Sequence, residues 1–376
     1  MAIKFLDLAA QDREIAAHVA CEFEAIHAST AYVGGAAVAG FEQEFARYLG
    51  VARVTGVSSG TDALRLALMA LGVGPGDGVL TVPMTFIATA AAIVQCGAVP
   101  EFVDVDPQTC NLSPEGLRRY LEAGRFRSPK GPRAIVPVDL YGLPAPIEQI
   151  TAVAREFNLK VVEDACQAQG AELQTGRGWV KAGTLADAGC FSFYPGKNLG
   201  AWGDAGAVAT NDERVAAMVA KLGDHGRTSH YGHDFFGYNA RLDTMQAAVL
   251  RAKLERLDPW NRRRREVAAR YRELLSSTGL RIPIEPEGAR SCYHLFTIQS
   301  ERREAIRAVL TAAGIGNGIH YPLPLHLQPA AAALGYKAGD FPVSERIADT
   351  TLSLPMHPHL TEAEVKAVAA AVRSAL

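Results

Sequence analysis

This sequence of 376 residues has no excess of charge of either sign, because 38 basic residues are balanced by 40 acidic ones and leave a formal net charge of −2. Proteins that bind nucleic acids or anionic membranes need a broad basic field, so the balance argues against both classes. Lysine is also scarce, since only nine of the 38 basic residues are lysines. We expect neither a nucleic-acid nor a membrane partner.

Long hydrophobic runs and paired cysteines are lacking as well. The longest mostly apolar run, residues 86–94, is far shorter than the roughly 20 residues that cross a bilayer, so no membrane span is predicted. Six cysteines are scattered without a C-x-x-C pair, which argues against a disulfide framework or a structural zinc site. The first residues contain no apolar signal region, and charged residues follow at once, so we expect a cytoplasmic protein.

Up to about residue 250, helix-like stretches alternate with short runs rich in valine and isoleucine, which is typical of α/β layering. Several runs are apolar without alternation, as buried parallel strands are, so the pattern predicts a mostly parallel, doubly wound sheet. The predicted strands are residues 54–57, 79–82, 99–103, 134–138, 159–162, 188–192 and 206–210. The predicted helices between them are residues 62–71, 88–96, 114–123, 147–157 and 213–222.

The rest of the chain predicts a second, smaller domain, and we divide the chain into a large α/β domain at residues 1–255 and an α+β domain at residues 256–376. A helical tract from Leu242 to Leu257 and a separate helix after Pro259 are predicted near this boundary. Four consecutive arginines, residues 262–265, fall outside the apolar stripe of the second helix. We interpret them as a solvated helix face. Farther on, the pattern predicts a strand at residues 293–298 and helices at residues 301–313 and 362–375.

A possible phosphate site follows the first predicted strand, at the carboxyl edge where α/β proteins place their ligands. Residues 54–64 form a strand, a turn of small residues and an amphipathic helix. The helix end offers backbone N–H groups and a dipole to a phosphate, and Thr61 adds a hydroxyl. Taken alone, the segment is equally well interpreted as an ordinary helix N-cap.

Two acids and a lysine follow other strands. Glu163 and Asp164 come directly after a buried strand, where an anion needs a metal, an arginine or a protonated heterocyclic nitrogen as its partner. A metal is least favoured, because no histidine or third carboxylate is near in sequence. Lys197 follows a strand and a Pro-Gly turn, and a lysine that loses hydration there has a lowered pKa and can act as an amine nucleophile.

These features together favour pyridoxal 5′-phosphate (PLP) as the cofactor. A surface lysine is commoner in general, but here a phosphate cradle, a carboxylate and a lysine occur in one chain. PLP needs a lysine for an imine, a carboxylate that keeps the pyridine nitrogen protonated, and a site for its phosphate. Phe86 follows another strand and could stack on the ring, although alone it would more often be a core residue.

In these segments the chain resembles the DegT/DnrJ/EryC1/StrS aminotransferases, a PLP-dependent sugar-aminotransferase family of fold type I. The resemblance covers nearly the whole length. It implies an aspartate aminotransferase-like fold with a mostly parallel seven-stranded sheet in the large domain and a smaller α+β domain. The segments that match the family are residues 41–46, 59–64, 163–165, 192–198 and 239–243.

The resemblance also implies roles for individual residues. Lys197 would form the imine and move protons, Asp164 would meet the pyridine nitrogen, and Gln167 would bond the ring hydroxyl. Asn239 would reach the phosphate from a neighbouring subunit, because the family implies a homodimer with shared active sites. The cofactor-binding residues implied in this way are Gly60, Thr61, Phe86, Asp164, Gln167, Ser192, Lys197 and Asn239.

Within the family, the loop around Lys197 (residues 193–207) and residues 320–328 resemble the branch that aminates C3 of nucleotide-linked 3-keto sugars. That implies transfer of nitrogen from L-glutamate to a dTDP-linked 3-keto-6-deoxyhexose, for a surface polysaccharide or an antibiotic. C4 amination of a 4-keto sugar, and a non-catalytic regulatory protein of the same fold, are the alternatives. The substrate-binding residues implied are Tyr194, Arg227, His230, His320, Tyr321 and His326.

Several of these positions allow a second interpretation. His320 and His326 could equally be loop histidines with partners inside the protein. Gln169 stands where relatives usually have histidine, and His230 stands where many have a lysine that meets the diphosphate. Either Arg227 compensates for that lysine or the substrate differs from the usual dTDP-sugar.

Two further kinds of site are disfavoured. Three histidines between residues 225 and 233 have no strand or helix spacing that would orient them, so we expect no metal. The glycine cluster at residues 72–78 follows a helix and precedes a strand. This is the reverse of the dinucleotide-binding order, and it argues against a nicotinamide oxidoreductase.

Overall fold

A seven-stranded sheet organises the chain in a computed structural model that describes residues 2–376. The helices are α1 (Leu8–Ser29), α2 (Gly35–Leu49), α3 (Gly60–Ala70), α4 (Ala88–Gln95), α5 (Pro114–Ala123), α6 (Ile147–Glu156), α7 (Glu213–Gly223), α8 (Thr244–Leu275), α9 (Arg303–Ala312), α10 (Pro342–Thr350) and α11 (Glu362–Ser374). The strands are β1 (Arg53–Val57), β2 (Gly78–Thr81), β3 (Val99–Phe102), β4 (Pro132–Ile135), β5 (Lys160–Asp164), β6 (Glu172–Thr175), β7 (Gly178–Lys181), β8 (Ala188–Ser192), β9 (Gly206–Thr210), β10 (Ala289–Arg290), β11 (Phe296–Gln299) and β12 (Thr351–Leu354).

The large sheet has the strand order β1-β9-β8-β5-β4-β2-β3. Strand β9 is antiparallel to both of its neighbours, β1 and β8, and the other adjacent pairs are parallel. The prediction of a mostly parallel seven-stranded sheet is therefore confirmed, with its strands in the predicted places. Strands β2 and β9 are buried along their whole length, which accounts for their unbroken apolar runs.

Helices cover the large sheet and enclose its apolar core. One cluster contains stacked and edge-on rings of Phe41, Phe45, Phe191 and Phe193, which join α2 to β8. Another apolar cluster packs α3, α4 and α7 against the sheet. Strands β1, β5 and β8 point the same way, so their carboxyl ends meet at one edge of the sheet.

Helix α8 differs from the predicted pair of helices, because it is one continuous helix with Pro259 inside it. Contacts with α1 occur on both sides of the proline. Lys253 Nζ lies 3.1 Å from Asp12 Oδ1, and Trp260 Nε1 donates to Glu14 Oε2 at 3.2 Å. Packing along the whole length therefore outweighs the roughly 3 kcal/mol that a proline costs inside a helix.

The interpretation of the four arginines as a solvated face is wrong for Arg264, whose side chain is fully buried. Its Nη1 donates to the carbonyl oxygens of Met356 at 2.9 Å and Tyr293 at 3.1 Å. The apolar stripe of α8 is wider than the sequence pattern suggested, and a guanidinium with backbone acceptors can be buried within it.

The C-terminal part contains the antiparallel pair β11 and β12, packed against α9 and α11. The strand and helices predicted here are present. The division into domains at residues 255 and 256 stays a prediction, and α8 runs through that position. No helix within residues 2–376 is both long and apolar enough to cross a membrane.

Candidate active site

A cavity of about 550 Å³ opens at the carboxyl edge of the large sheet. Residues that follow β1, β5 and β8 line it, together with residues that follow β2 and residues of the C-terminal part. Parallel strands bring these distant segments to one place, as the sequence pattern predicted. The predicted site residues that line the cavity are Gly60, Thr61, Phe86, Asp164, Gln167, Ser192, Tyr194, Lys197, His320 and Tyr321.

The N-terminal end of α3 forms one side of the cavity. Ser59 caps the helix, since its Oγ accepts a hydrogen bond from the backbone N–H of Asp62 at 3.1 Å. A Cβ atom on Gly60 would lie only 2.5 Å from Cβ of Ser192. Glycine is therefore needed where the helix end meets β8, and the N–H groups and hydroxyls there form a cradle suited to a phosphate.

Asp164 is a buried carboxylate at the end of β5. Its Oδ2 accepts from Thr89 Oγ1 at 2.8 Å, and its Oδ1 accepts from the backbone N–H of Cys166 at 3.3 Å. No basic side chain within residues 2–376 forms an ion pair with it. A buried carboxylate without a cationic partner fits the protonated ring nitrogen of PLP.

Lys197 is half-buried in the wall of the cavity, in the loop that follows β8. Loss of hydration lowers the pKa of its amine below the ordinary value, and the nearby groups Cys166, Asp164 and Cys292 act in the opposite direction. A lowered pKa increases the neutral fraction of the amine, which is the form that attacks an aldehyde.

Gln167 connects the Asp164 loop to the opposite wall. Its Oε1 accepts from the backbone N–H of Tyr141 at 2.7 Å, and its Nε2 donates to the hydroxyl of Tyr321 at 3.2 Å. The second N–H of this amide is left for a ligand. The rings of Phe86 and Tyr321 lie 5.8 Å apart, and Phe86 remains about half exposed.

His320 presents a neutral imidazole to the cavity. Burial, with a further contribution from Lys197, lowers its pKa to about 4. Its Nδ1 lies 2.8 Å from Oγ of Ser353, and its ring stacks on Phe5 with centroids 5.8 Å apart.

The sequence did not point to His294 or Phe5, which also line the cavity. Burial lowers the pKa of His294 well below its ordinary value, so this imidazole is neutral too. His294 falls within the strand predicted at residues 293–298 and precedes the observed β11, and that strand pattern was the only signal for its place in the fold. Phe5 belongs to the N-terminal segment, which no motif connects to the site.

Four predicted site residues do not line this cavity. Asn239, Arg227 and His230 are exposed, and Arg227 Nε lies 3.3 Å from Asp224 Oδ2. His326 is buried elsewhere, with its Nε2 3.0 Å from Oε1 of Glu345. The structure therefore does not bring His326 to the cavity. Within residues 2–376, no three His, Cys, Asp or Glu side chains are grouped to hold a metal ion.

Gln169, the residue that departs from the usual histidine, lies behind the cavity wall. Its side chain is fully buried. Its Nε2 donates to the carbonyl oxygens of Ser192 at 2.7 Å and Cys166 at 3.1 Å. Gln169 therefore holds the cavity wall from behind and does not itself line the cavity.

Comparison with known proteins agrees with this geometry. The model of the DegT/DnrJ/EryC1/StrS aminotransferase family matches residues 13–373. A "pleiotropic regulatory protein" of Geobacillus stearothermophilus is 41% identical over 365 residues, which are 96% of this chain and 95% of the relative. A dTDP-3-amino-3,4,6-trideoxy-alpha-D-glucose transaminase of Streptomyces venezuelae is 40% identical over 99% of this chain and 95% of its own.

A solved structure is similar over the whole fold. DesV of S. venezuelae, in complex with a ketimine intermediate, superposes with a TM-score of 0.94 and 39% identity over 99% of this chain and 98% of that chain. The family model matches almost the entire chain, and the relatives are similar over nearly their full length. These matches establish which family the chain belongs to. The chain belongs to the DegT/DnrJ/EryC1/StrS aminotransferase family and is a PLP-dependent aminotransferase.

Proposed function

We propose that this sugar-nucleotide aminotransferase moves nitrogen from L-glutamate to C3 of a dTDP-linked 3-keto-6-deoxyhexose, with Lys197 as the catalytic residue. One observation supports the catalytic role. The same cavity contains the Lys197 amine, whose pKa is lowered by loss of hydration, and the carboxyl group of Asp164, which has no ion-pair partner within residues 2–376. The S. venezuelae dTDP-sugar transaminase, similar over nearly its full length, supports the substrate class.

The residues of the chain have distinct tasks in this proposal. Bound PLP supplies an electron sink for the electron pair released at the reacting carbon. Lys197 would bind the cofactor through its amine and would then move the proton that leaves Cα of L-glutamate, first as a base and then as an acid. Asp164 would keep the ring nitrogen protonated, and Gly60, Thr61 and Ser192 would hold the phosphate.

The opposite wall suits a sugar. Tyr321 keeps its hydroxyl proton, because burial raises its pKa to about 12, and His320 stays neutral with its pKa near 4. Neutral imidazole and phenol groups donate and accept hydrogen bonds, as sugar hydroxyls require. Tyr194, exposed beside Lys197, would meet the substrate at the mouth of the cavity.

We also propose a homodimer in which Asn239, Arg227 and His230 serve the cavity of a second copy. These side chains are exposed and lie outside their own cavity. The same segment exposes Tyr231 and Phe236 almost fully, and large apolar side chains of this kind are usually covered by a partner. Light scattering should give twice the mass of the chain.

Replacement of Lys197 by alanine tests the catalytic role. Lys197→Ala should abolish turnover, whereas Lys366→Ala should not, because Lys366 pairs with Glu362 on the surface of α11. The purified protein should be yellow with PLP and should bleach when glutamate is added. Normal transamination by Lys197→Ala would refute the proposal.

The substrate is tested with a panel of dTDP- and UDP-linked 3-keto and 4-keto sugars. Amination of the dTDP-linked 3-keto sugar in preference to the others is expected. Preferred amination of a 4-keto sugar would contradict the assigned position, and preference for a UDP sugar would contradict the assigned nucleotide.

A regulatory role is the second candidate, because the G. stearothermophilus relative is named a regulatory protein. A non-catalytic protein has no need of an amine and an unneutralised carboxylate in one cavity, which is why we favour catalysis. Absence of yellow colour after PLP is added would favour the regulatory role instead.

A further inference from the structure

Three buried side-chain amides connect the loop of Lys197 to the rest of the cavity wall. Asn198, the next residue after Lys197, donates from Nδ2 to Oδ1 of Asn261 at 2.8 Å and to the carbonyl oxygen of Cys292 at 2.9 Å. Asn261 lies on α8 and donates from its own Nδ2 to the carbonyl oxygen of Gln169 at 2.8 Å. One asparagine of a long helix is thus bonded to two different loops.

Gln169 extends this series of hydrogen bonds to both sides of the site. Its Nε2 donates to the carbonyl oxygen of Cys166, two residues after Asp164, and to that of Ser192 at the end of β8. The lysine loop, the Asp164 loop and the end of β8 are therefore held to α8 through side-chain amides.

The three amides have no alternative partners in water, because Asn198, Gln169 and Asn261 are at most 1% exposed. Space around Asn261 is also restricted. A Cβ on Gly170 would lie 2.4 Å from Asn261 Nδ2. A buried amide with fixed partners costs free energy if either bond is broken, so the network holds the two loops in one arrangement.

We infer that Asn261 is a positioning residue that fixes Lys197 relative to Asp164, acting through Asn198 on one side and Gln169 on the other. The inference rests on the proposed role of Lys197. The inference also explains why a glutamine suits position 169, because its one amide nitrogen has two N–H groups and can donate to the carbonyl oxygens of both Cys166 and Ser192. Asn261 does not line the cavity, so its effect on the reaction is indirect.

The test compares Asn261→Leu with a matched control, Asn111→Leu. Asn111 is also a buried asparagine with two backbone partners, Leu140 N–H at 3.1 Å and Leu143 carbonyl oxygen at 2.9 Å, and it touches none of the three amides. Both variants lose a buried amide of the same size. Both should therefore lower the melting temperature.

The readout that separates them is attachment of PLP to Lys197, trapped by borohydride reduction and located by peptide mass spectrometry. For Asn261→Leu we expect attachment about tenfold or more slower, because displacement of a reacting group by about 1 Å can cost about a hundredfold. Asn111→Leu should attach PLP at the wild-type rate. Equal rates in the two variants, at equal loss of melting temperature, would overturn the inference.

Two further measurements keep the test decisive if Asn261→Leu does not fold. Asn261→Asp keeps the acceptor for Asn198 and loses the amide N–H groups, so its attachment rate should fall between those of Asn261→Leu and the wild type. A double-mutant cycle of Asn198→Ala and Asn261→Ala, which removes the bond between them without adding charge, should show a combined effect smaller than the product of the two single effects. Wild-type rates in these variants would refute the inference, whereas no attachment at Lys197 in the wild type would refute the proposed role of Lys197 itself.

Discussion

Replacement of Gly60 by alanine should weaken binding of the cofactor phosphate, because the added methyl group would collide with neighbouring side chains. A Cβ at this position would lie 2.5 Å from Cβ of Ser192 and 2.9 Å from Sγ of Cys166. Carbon atoms in good contact are about 3.5 to 4.0 Å apart, so the helix end and β8 must separate by about 1 Å. That separation would open the cradle that we assign to the cofactor phosphate.

The expected magnitude follows from the geometry. Overpacking of this kind costs about 1 to 3 kcal/mol of folding free energy. Gly60 does not have a positive φ angle, so the backbone itself accepts alanine and the contact alone produces the effect. If most of this free energy is lost from binding of the phosphate, the dissociation constant of PLP rises by about 5- to 150-fold, because about 1.4 kcal/mol corresponds to a factor of ten.

The assay is an equilibrium titration of the apoprotein with PLP, followed by absorbance. Gly74→Ala is the matched control, because nothing lies within 4 Å of its Cβ position and its φ is not positive. We expect Gly74→Ala to bind PLP like the wild type. Binding within twofold of wild type by Gly60→Ala would show that the helix end does not hold the phosphate.

Two further predictions concern pH and the N-terminal segment. Burial lowers the pKa of His320 and His357 from 6.5 to about 4, so the unfolded chain binds more protons than the folded one between these values. The stability present above pH 6.5 should fall as the pH drops toward 4, by about 3 kcal/mol for each histidine. Urea denaturation at pH 7 and pH 5 measures this, and equal midpoints would contradict it. Phe5→Ala removes the ring that stacks on His320. Because aromatic pairs contribute about 0.5 to 1.5 kcal/mol, we expect KM for the sugar nucleotide to rise about 2- to 12-fold with kcat little changed. An unchanged KM, or a fall in kcat alone, would show that Phe5 does not orient His320.

The strands and several helices could be predicted from the sequence because local signals and tertiary burial agree there. Helix α5 is predicted with its observed ends, since Ser113 caps it, Pro114 begins it and Gly124 adopts the left-handed conformation after it. The hairpin of β6 and β7 was not predicted. Its residues are mostly exposed or half-exposed, so they show no apolar alternation.

The site was predictable in part for a related reason. Asp164 and Ser192 end parallel strands, and Gly60, Phe86 and Lys197 follow strands closely, so the sheet itself brings them together. His294 and Phe5 reach the cavity only because the C-terminal part and the N-terminal segment pack beside it. The main-chain bonds between Ile3 and residues 314 and 316 attach that segment, and no local pattern indicates them.

The charges of the cavity bear on the proposed homodimer. Among the residues that line the cavity, Lys197 is the only lysine or arginine, whereas Asp164 and Asp204 are acidic. Yet both the cofactor and the proposed sugar nucleotide have phosphate groups, and the α3 end suits only one of them. Arg264 is buried in α8, bonds backbone carbonyl oxygens and does not line the cavity. In the proposed homodimer, the exposed Arg227 of a second copy is a candidate source of the positive charge that suits a diphosphate.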